Sequence, residues 1–456
     1  MTNVLTWSAD PAAEGALAVS RRLRALQASH HAMWNYVTYR DAIALVGEDV
    51  DALYPEGTTR LPADWADLGW LTCFCGPPAS AVQAMRDAVQ PRALDMYAPD
   101  LIEPLRDAAA AVLSRERDAG FEVVGVEGAQ AGLALSLLAT VDPGDEVILG
   151  DPGYFHLPSA IHAAGARPVR VPLGADTDYR LDPDRVAAAI TPRTRAICLI
   201  DPVNPYGTAA RADEVEALAR LAERHGALLI DDVTHGPLAI DPAGELHPAV
   251  TVSDHAVATF SVSHCYGMAG ARIGFLAGPR ALLRGCLQLK AALTRLNTNP
   301  ISQRGALAAL QDRAYLEDAQ RTIRANLAHL EETLESVDGV ELVVRPERGL
   351  ACALDVAGTG ASAQELMVAL FARRVAVYPG DGLGQRAAAR TVRLNLSNPE
   401  PWVMAHVRAV LAEAASGRWR EPVAALLDGK GTDRAARLAA RIRAGRLDGD
   451  QEEDVP

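Results

Sequence analysis

Five stretches of this chain place chemistry-bearing residues directly after short apolar runs. Gly128-Ala129-Gln130-Ala131-Gly132-Leu133 opens a helical pattern. A glycine start at a helix N-terminus offers backbone N–H groups and the positive end of the helix dipole to a phosphate. Gly150-Asp151-Pro152-Gly153-Tyr154-Phe155 carries a loop aromatic suited to stacking on a flat ring. Asp201-Pro202-Val203-Asn204-Pro205-Tyr206-Gly207 sets Asn204 at a strand end, where its amide can hydrogen-bond a ligand. Leu229-Ile230-Asp231-Asp232-Val233-Thr234-His235-Gly236 puts a carboxylate, Asp231, at the end of another apolar run. A buried carboxylate needs a cationic partner, and a protonated ring nitrogen on a ligand would serve. The stretch Ser261–Gly274 supplies Ser261, Ser263 and Arg272, two hydroxyls and a guanidinium suited to a phosphate, with His264 among them. In the neighbouring residues, Asp232 reads as structural or solvated and His235 as a structural hydrogen-bonding residue.

These residues require a scaffold that gathers strand ends. The apolar runs Val123–Val126, Glu146–Leu149, Pro168–Val171, Ala196–Ile200, Ala227–Ile230 and Ala256–Phe260 predict strands. Helical patterns fall between them, as in Arg211–His225, where Val215, Leu218, Ala219 and Ala222 share one face. Short apolar strands alternating with amphipathic helices imply a mainly parallel sheet covered on both sides, with its chemistry on loops at the strand C-termini. Ala79–Val89 and Leu101–Leu113 are also expected to be helical. Beyond residue 300 the pattern changes to a smaller α+β domain. Pro300–Leu334, Ala363–Arg373 and Pro401–Ala415 read as helices, and Val340–Val344, Ala351–Val356, Val375–Tyr378 and Val392–Leu396 as strands. The expected division is an N-terminal helical extension at 1–62, a large α/β domain at 63–300, the small domain at 301–420 and a helical tail with an acidic end at 421–456. Helices are expected over residues 11–32 and Asp41–Leu53, with Trp34, Tyr36 and Tyr39 packing between them.

With 49% hydrophobic and 22% charged residues, the 456-residue chain has the composition of a soluble globular protein with a sizeable core. Its net charge of −14 argues against nucleic acid or acidic membranes as partners. No run of 18 apolar residues suggests a membrane span, and the N-terminus lacks the pattern of a signal peptide. The six cysteines are scattered without paired zinc spacing, so no metal site is expected and reduced thiols in a cytoplasmic setting are.

In this order, the five stretches resemble the fold type I pyridoxal-phosphate (PLP) enzymes, specifically the class I/II aminotransferase family, over roughly residues 65–415. The resemblance implies a seven-stranded-type, mainly parallel sheet sandwiched by helices, and a set of roles. Gly128, Ala129 and Gln130 match the phosphate-binding helix start, although Ala129 lacks the hydroxyl often found there. Tyr154 matches the aromatic stacked on the pyridine ring, Asn204 the partner of the ring oxygen, and Asp231 the partner of the pyridinium nitrogen. Ser261, Ser263 and Arg272 match the phosphate ligands, and Arg393 the arginine that grips the substrate α-carboxylate. Tyr97 and Thr298 match residues that reach the partner subunit's site, which implies a homodimer with shared active sites. The implied substrate is an amino or keto acid carrying a carboxylate.

The pattern breaks at its reactive centre. The family's Ser-x-Ser-Lys ends in the Schiff-base lysine; here that position is His264. The family's tyrosine three residues after the aspartate is replaced by Thr234. Only two lysines exist, Lys290 and Lys430, among 44 basic residues, and neither is expected near the reacting carbon. Three readings follow. In one, an enzyme holds PLP or its amino form PMP noncovalently and uses His264 as general base. Its reactions would be Cα proton abstraction, elimination, C–C bond formation or half of a transamination. In another, a PLP-independent enzyme uses the pocket for a different anionic substrate. In the third, the protein is an inactive binding subunit or pseudoenzyme.

Overall fold

The computed structural model describes residues 40–49, 53, 61–241, 245–380, 383–384, 390–429 and 433–443. The helix expected over residues 11–32, the aromatic group Trp34, Tyr36 and Tyr39, and the acidic tail lie outside the described residues. The helix expected over Asp41–Leu53 is present at residues 40–45. No helix among the described residues is long and apolar enough to cross a membrane.

Seven strands form the main sheet: β1 (Phe121–Val126), β2 (Glu146–Asp151), β3 (Arg167–Pro172), β4 (Thr194–Ile200), β5 (Leu228–Asp232), β6 (Ala256–Ser261) and β7 (Gly274–Pro279). Their spatial order is β1-β7-β6-β5-β4-β2-β3. All adjacent pairs are parallel except those made by β7, which runs against both β6 and β1. β7 had no counterpart among the expected strands. Its sequence, Gly-Phe-Leu-Ala-Gly-Pro, has glycine and proline at positions that ordinarily mark turns, so it carries little strand signal.

Successive residues on a strand face opposite sides. Val124, Val126, Val147, Leu149, Ala196, Cys198, Leu228 and Ile230 pack in one core with Leu133 and Leu137 of helix α1 (Ala129–Thr140). Ile148, Ile197, Leu199, Leu229, Ala256, Ala258 and Phe260 face the other core, which is shared with the C-terminal layer. The sheet is therefore buried on both faces, as its apolar runs require.

α1 approaches the strands more closely than side chains ordinarily allow. A Cβ on Gly274 would sit within 2.8 to 2.9 Å of backbone atoms of Gly128, Phe260 and Ala129, and one on Gly132 would lie 2.3 Å from Thr259 Oγ1. Glycine at these two positions lets the helix start press against the ends of β6 and β7.

A second, antiparallel sheet runs in the order β10-β11-β9-β8, from β8 (Glu341–Leu342), β9 (Ala351–Asp355), β10 (Tyr378–Pro379) and β11 (Thr391–Asn395). The expected strand Val375–Tyr378 is split. Val375–Ala376 pairs in parallel with Ala66–Asp67, while Tyr378 pairs with Arg393 on β11. The expected helix Pro300–Leu334 is also two helices, Pro300–Gln311 and Arg313–Leu334. Asp312 separates them, and its carboxylate caps the second by accepting from the Tyr315 N–H at 3.0 Å. The expected helical tail appears as Arg420–Asp428 and Asp433–Arg443.

Gly274→Ala is expected to destabilise the protein by about 1–3 kcal/mol, because all three atoms it would meet are backbone. The check is the denaturant midpoint, with Gly285→Ala, whose added methyl meets nothing within 4 Å, as the control.

Candidate active site

The carboxyl ends of β1, β2, β4, β5 and β6 and the start of β7 share one edge of the sheet, and the residues singled out in the sequence collect there. Gly128 is the N-cap of α1, with φ of 93° and no side-chain cap, so the first N–H groups of the helix stay available. Arg272, itself at φ 49°, donates from Nη2 to the Glu127 carbonyl at 2.8 Å and from Nη1 to the Ala269 carbonyl at 3.2 Å. A Cβ at Gly128 would lie 2.7 Å from that guanidinium. Beside it, Ser261 Oγ accepts from the Ser263 N–H at 3.3 Å. Ser263 Oγ and Gln130 Oε1 are buried with no hydrogen-bond partner among the described residues. Unpaired buried oxygens are costly. The Ser263 hydroxyl can donate, and with a bare helix N-terminus and an arginine it suits a phosphate group, whereas Gln130 Oε1 only accepts.

The two aspartates at the end of β5 face opposite ways, so Asp231 and Asp232 have different surroundings. Asp231 points into the core away from α1, where its Oδ2 accepts from the Ala249 N–H at 2.8 Å. Burial, and then the nearby Asp201 carboxylate, push it well above the ordinary carboxylate range. Asp232 follows Leu228 and Ile230 onto the α1 face. There its charge, after burial itself, helps push the Tyr154 phenol up, and Arg272 acts on the same phenol in the opposite sense. Asp232 is thus the carboxylate that shares a pocket with Tyr154 and Arg272. Burial pushes it up to about 6, against hydrogen bonds from the Thr234 N–H at 3.1 Å and hydroxyl at 2.5 Å. The alternation of β5 was the available signal: counted from Leu228, the residue facing α1 is Asp232.

His264 follows β6 and is half-buried. Its ring Nδ1 is hydrogen-bonded to the Leu71 carbonyl. A carbonyl only accepts, so Nδ1 carries the proton and Nε2 is the basic nitrogen of the neutral ring. Burial pushes this imidazole below its ordinary value; the Leu71 bond opposes that, and the Arg393 and Arg272 charges add to it. His235, not Thr234, stands against His264, with ring centroids 4.7 Å apart. The Thr234 hydroxyl is spent on Asp232.

Leu71 belongs to a strap, residues 68–75, that crosses from β6 to β11. The Cys73 N–H donates to the His264 carbonyl at 2.9 Å. Asn395 Nδ2 donates to the Trp70 and Thr72 carbonyls at 2.6 and 2.8 Å. Arg393 is buried on β11; it donates to Asn204 Oδ1 at 3.2 Å and to the Gly69 carbonyl at 2.8 Å, and its guanidinium lies over the Tyr378 ring. The arginine and asparagine named from sequence are thus in direct contact.

Two residues lie apart from this cluster. Tyr97 is 71% exposed and its hydroxyl accepts from Arg295 at 3.1 Å. Thr298 is buried; its hydroxyl donates to the Asp100 carbonyl and accepts from Gln303 Nε2 at 2.9 Å. Within the single chain, then, Thr298 serves its own loop. Lys290 is 1% exposed, pairing with Glu127 at 3.2 Å and donating to the Leu296 carbonyl at 2.7 Å. Lys430 lies outside the described residues.

The mainly parallel seven-stranded sheet covered by helices, with these residues at its carboxyl edge, is the aspartate aminotransferase-like fold. Comparison with known proteins gives the family. Residues 72–410 match aminotransferase class I and II, and the chain belongs to that family. It is 35% identical over 282 residues to arginine–pyruvate transaminase from Pseudomonas aeruginosa, covering 60% of this chain and 70% of that protein. It is 31% identical over 314 residues to a probable aspartate/prephenate aminotransferase from Thermus aquaticus, covering 67% and 80%. A solved Thermus thermophilus aspartate aminotransferase mutant superposes with a TM-score of 0.75 at 26% identity, over 88% of this chain and 100% of that one. The cofactor of the family is PLP, alternating with PMP.

Asp232→Asn separates the two aspartates. The folded carboxyl holds a proton up to about 6, above its ordinary 3.8, so its burial lowers stability as pH rises through that interval. Without cofactor, Asp232→Asn should gain about 1–3 kcal/mol at pH 8 and nothing at pH 3 in denaturant titrations. It should also weaken PLP binding at least about tenfold, whereas Asp231→Asn should not. The reverse ranking in a PLP titration would return the ring-partner role to Asp231.

Proposed function

We propose that this aminotransferase-family protein acts on an amino or keto acid with PLP or PMP held noncovalently, and with His264 as general base where the family has its Schiff-base lysine. The observation that carries the reading is the orientation of His264: Leu71 holds its Nδ1–H, so Nε2 is the nitrogen that accepts a proton. Lys290 is occupied by Glu127 and the Leu296 carbonyl, which supports the absence of a substitute amine.

When bound, PLP supplies an electron sink that stabilises negative charge at the α-carbon of an attached substrate. The chain's residues do the rest. The N–H groups after Gly128, with Gln130, Ser261, Ser263 and Arg272, hold the phosphate. Asp232 would supply the counter-charge for a protonated ring nitrogen, Tyr154 would cover the ring and Asn204 would meet its oxygen. Arg393 fixes the substrate carboxylate, so that His264 Nε2 takes the proton from Cα. Proton abstraction, elimination, C–C bond formation and half-transamination share this step. Complete transamination is disfavoured, because among the described residues no lysine amine is free to displace the product.

The reading includes large and small domains at 63–300 and 301–420, a cytoplasmic setting and a homodimer. Six cysteines without a disulfide support the setting. Exposed Val89, Leu94, Met96, Tyr97, Leu293 and Leu296 support the dimer, since Tyr97 and Arg295 join the two segments that carry them.

The test is exchange of the Cα hydrogen of amino acids in deuterated water, followed by NMR with PLP present. Wild type should catalyse exchange for at least one amino acid, and His264→Ala should slow it about 10²–10⁴-fold. Exchange that survives in His264→Ala contradicts the base assignment. PLP binding without exchange or product favours the inactive binding subunit, and no PLP binding favours a PLP-independent protein.

A further inference from the structure

Two thiols sit on the strap that holds His264. Residues Cys73, Phe74, Cys75 and Gly76 form a β-turn: the Gly76 N–H donates to the Cys73 carbonyl at 3.2 Å, and Gly76 has a φ of 81°. The turn folds Cys75 back on Cys73, and the two side chains are in hydrogen-bonding contact. The Cys75 sulfur also lies 3.5 Å from the Ser397 carbonyl, so its single S–H serves one acceptor or the other. All six cysteines are free, and Cys75 alone among them is not fully buried.

We propose that Cys73 and Cys75 are a redox modification site, at which a small-molecule disulfide of the glutathione class converts the two thiols reversibly into an intramolecular disulfide that weakens the strap's hold on His264. The inference goes beyond the reading of His264 as base and stands without it. The step balances. The Cys75 thiolate attacks one sulfur of the oxidant, and the other half of the oxidant leaves and takes up a proton. Cys73 then attacks the Cys75 sulfur of the mixed disulfide and releases the second half in the same way. One S–S bond breaks in the oxidant and one forms in the protein, and two electrons and two protons pass from the thiols to the oxidant.

The surroundings favour this pair over the other thiols. Contact with Cys75 holds the Cys73 thiol down to about 7, against burial. Because the sulfurs touch, the remaining proton can sit on either, and the half-buried Cys75 is the one an oxidant reaches. Cys73, 2% exposed, is placed to resolve the mixed disulfide from inside. Cys265 is fully buried, burial pushes its thiol up, and that thiol donates to the Thr234 carbonyl at 3.2 Å. A disulfide needs a dihedral near about 90° across its sulfurs. Closing one over a single intervening residue draws Cys75 off the Ser397 carbonyl and reshapes the turn. That turn carries the Cys73 N–H bond to the His264 carbonyl at 2.9 Å, the Phe74 N–H bond to Ser397 Oγ at 3.0 Å and the Tyr315 hydroxyl bond to the Gly76 carbonyl at 2.6 Å. Leu71, whose carbonyl holds the His264 ring, lies just upstream on the same strap.

The test is incubation of the ligand-free protein with oxidised glutathione, followed by non-reducing peptide mapping, amide hydrogen exchange and histidine NMR. In wild type the peptide carrying Cys73 and Cys75 should lose the mass of two hydrogens. The Cys73 amide should then exchange at least about tenfold faster. The His264 ring signals should shift, and dithiothreitol should reverse all three changes. Cys75→Ser should show none of them, and Cys73→Ser should stop at a glutathione adduct on Cys75; Cys73→Ala replaces the serine variant if that one does not fold. The proposal is overturned if wild type stays unmodified, keeps a glutathione adduct on Cys75 or joins Cys73 to Cys265. It is also overturned if the disulfide forms and leaves both the Cys73 amide and the His264 ring unchanged. No readout uses cofactor or turnover, so failure here is distinct from failure of the base reading, which shows only as Cα–H exchange surviving in His264→Ala.

Discussion

The hydrogen bond from the His264 ring to the Leu71 carbonyl is the contact on which the site depends. It selects the tautomer of the His264 imidazole. It also pins the strap of residues 68–75 against the end of β6. The other side of the strap is held by Asn395 and Arg393 of the small sheet. One polar contact therefore ties His264 on the large sheet to the strap that Arg393 of the small sheet also holds. A change that frees Leu71 would release the ring and slacken the link to β11 together.

Charge is arranged around that contact by the two-residue period of β5. Asp231 and Asp232 are adjacent in sequence and are separated by the sheet in space. On the far face the Asp201 carboxylate adds to the effect of burial on Asp231, and Asp231 Oδ1 and Asp201 Oδ2 both lack hydrogen-bond partners among the described residues. On the near face Asp232 sits with Tyr154 and Arg272, where a cation in the pocket would offset its burial. The glycines at 128, 132 and 274 let α1 close over this edge, bringing its start to Arg272 and the ends of β6 and β7.

Much of this was legible in the residues. Six of the seven main strands follow from apolar runs between helical patterns, and the order of loop motifs led to the family to which the chain belongs. β7 was hidden because it begins with glycine and ends in Gly278-Pro279, and only its partners β1 and β6 make it a strand. Val375–Tyr378 reads as one strand because strand propensity is local, whereas the change of partner after Ala376 is decided by Ala66–Asp67. The choice between Asp231 and Asp232 turned on one residue of register, which reverses every facing on a strand. His235 could not be paired with His264 from sequence, because 28 intervening positions close up only through the parallel pairing of β5 with β6. Lysine is the reverse case. Its scarcity is plain in the sequence, and the structure adds that Lys290 is engaged elsewhere.

The central claim is that this site works without a covalent lysine link. The most direct measurement is the intact mass of the protein after incubation with PLP and reduction with borohydride, with peptide mapping of any adduct. The account predicts an unmodified mass for wild type and one added pyridoxyl group for His264→Lys, mapped to that position. A stoichiometric adduct on Lys290 or Lys430 of the wild-type protein would contradict it.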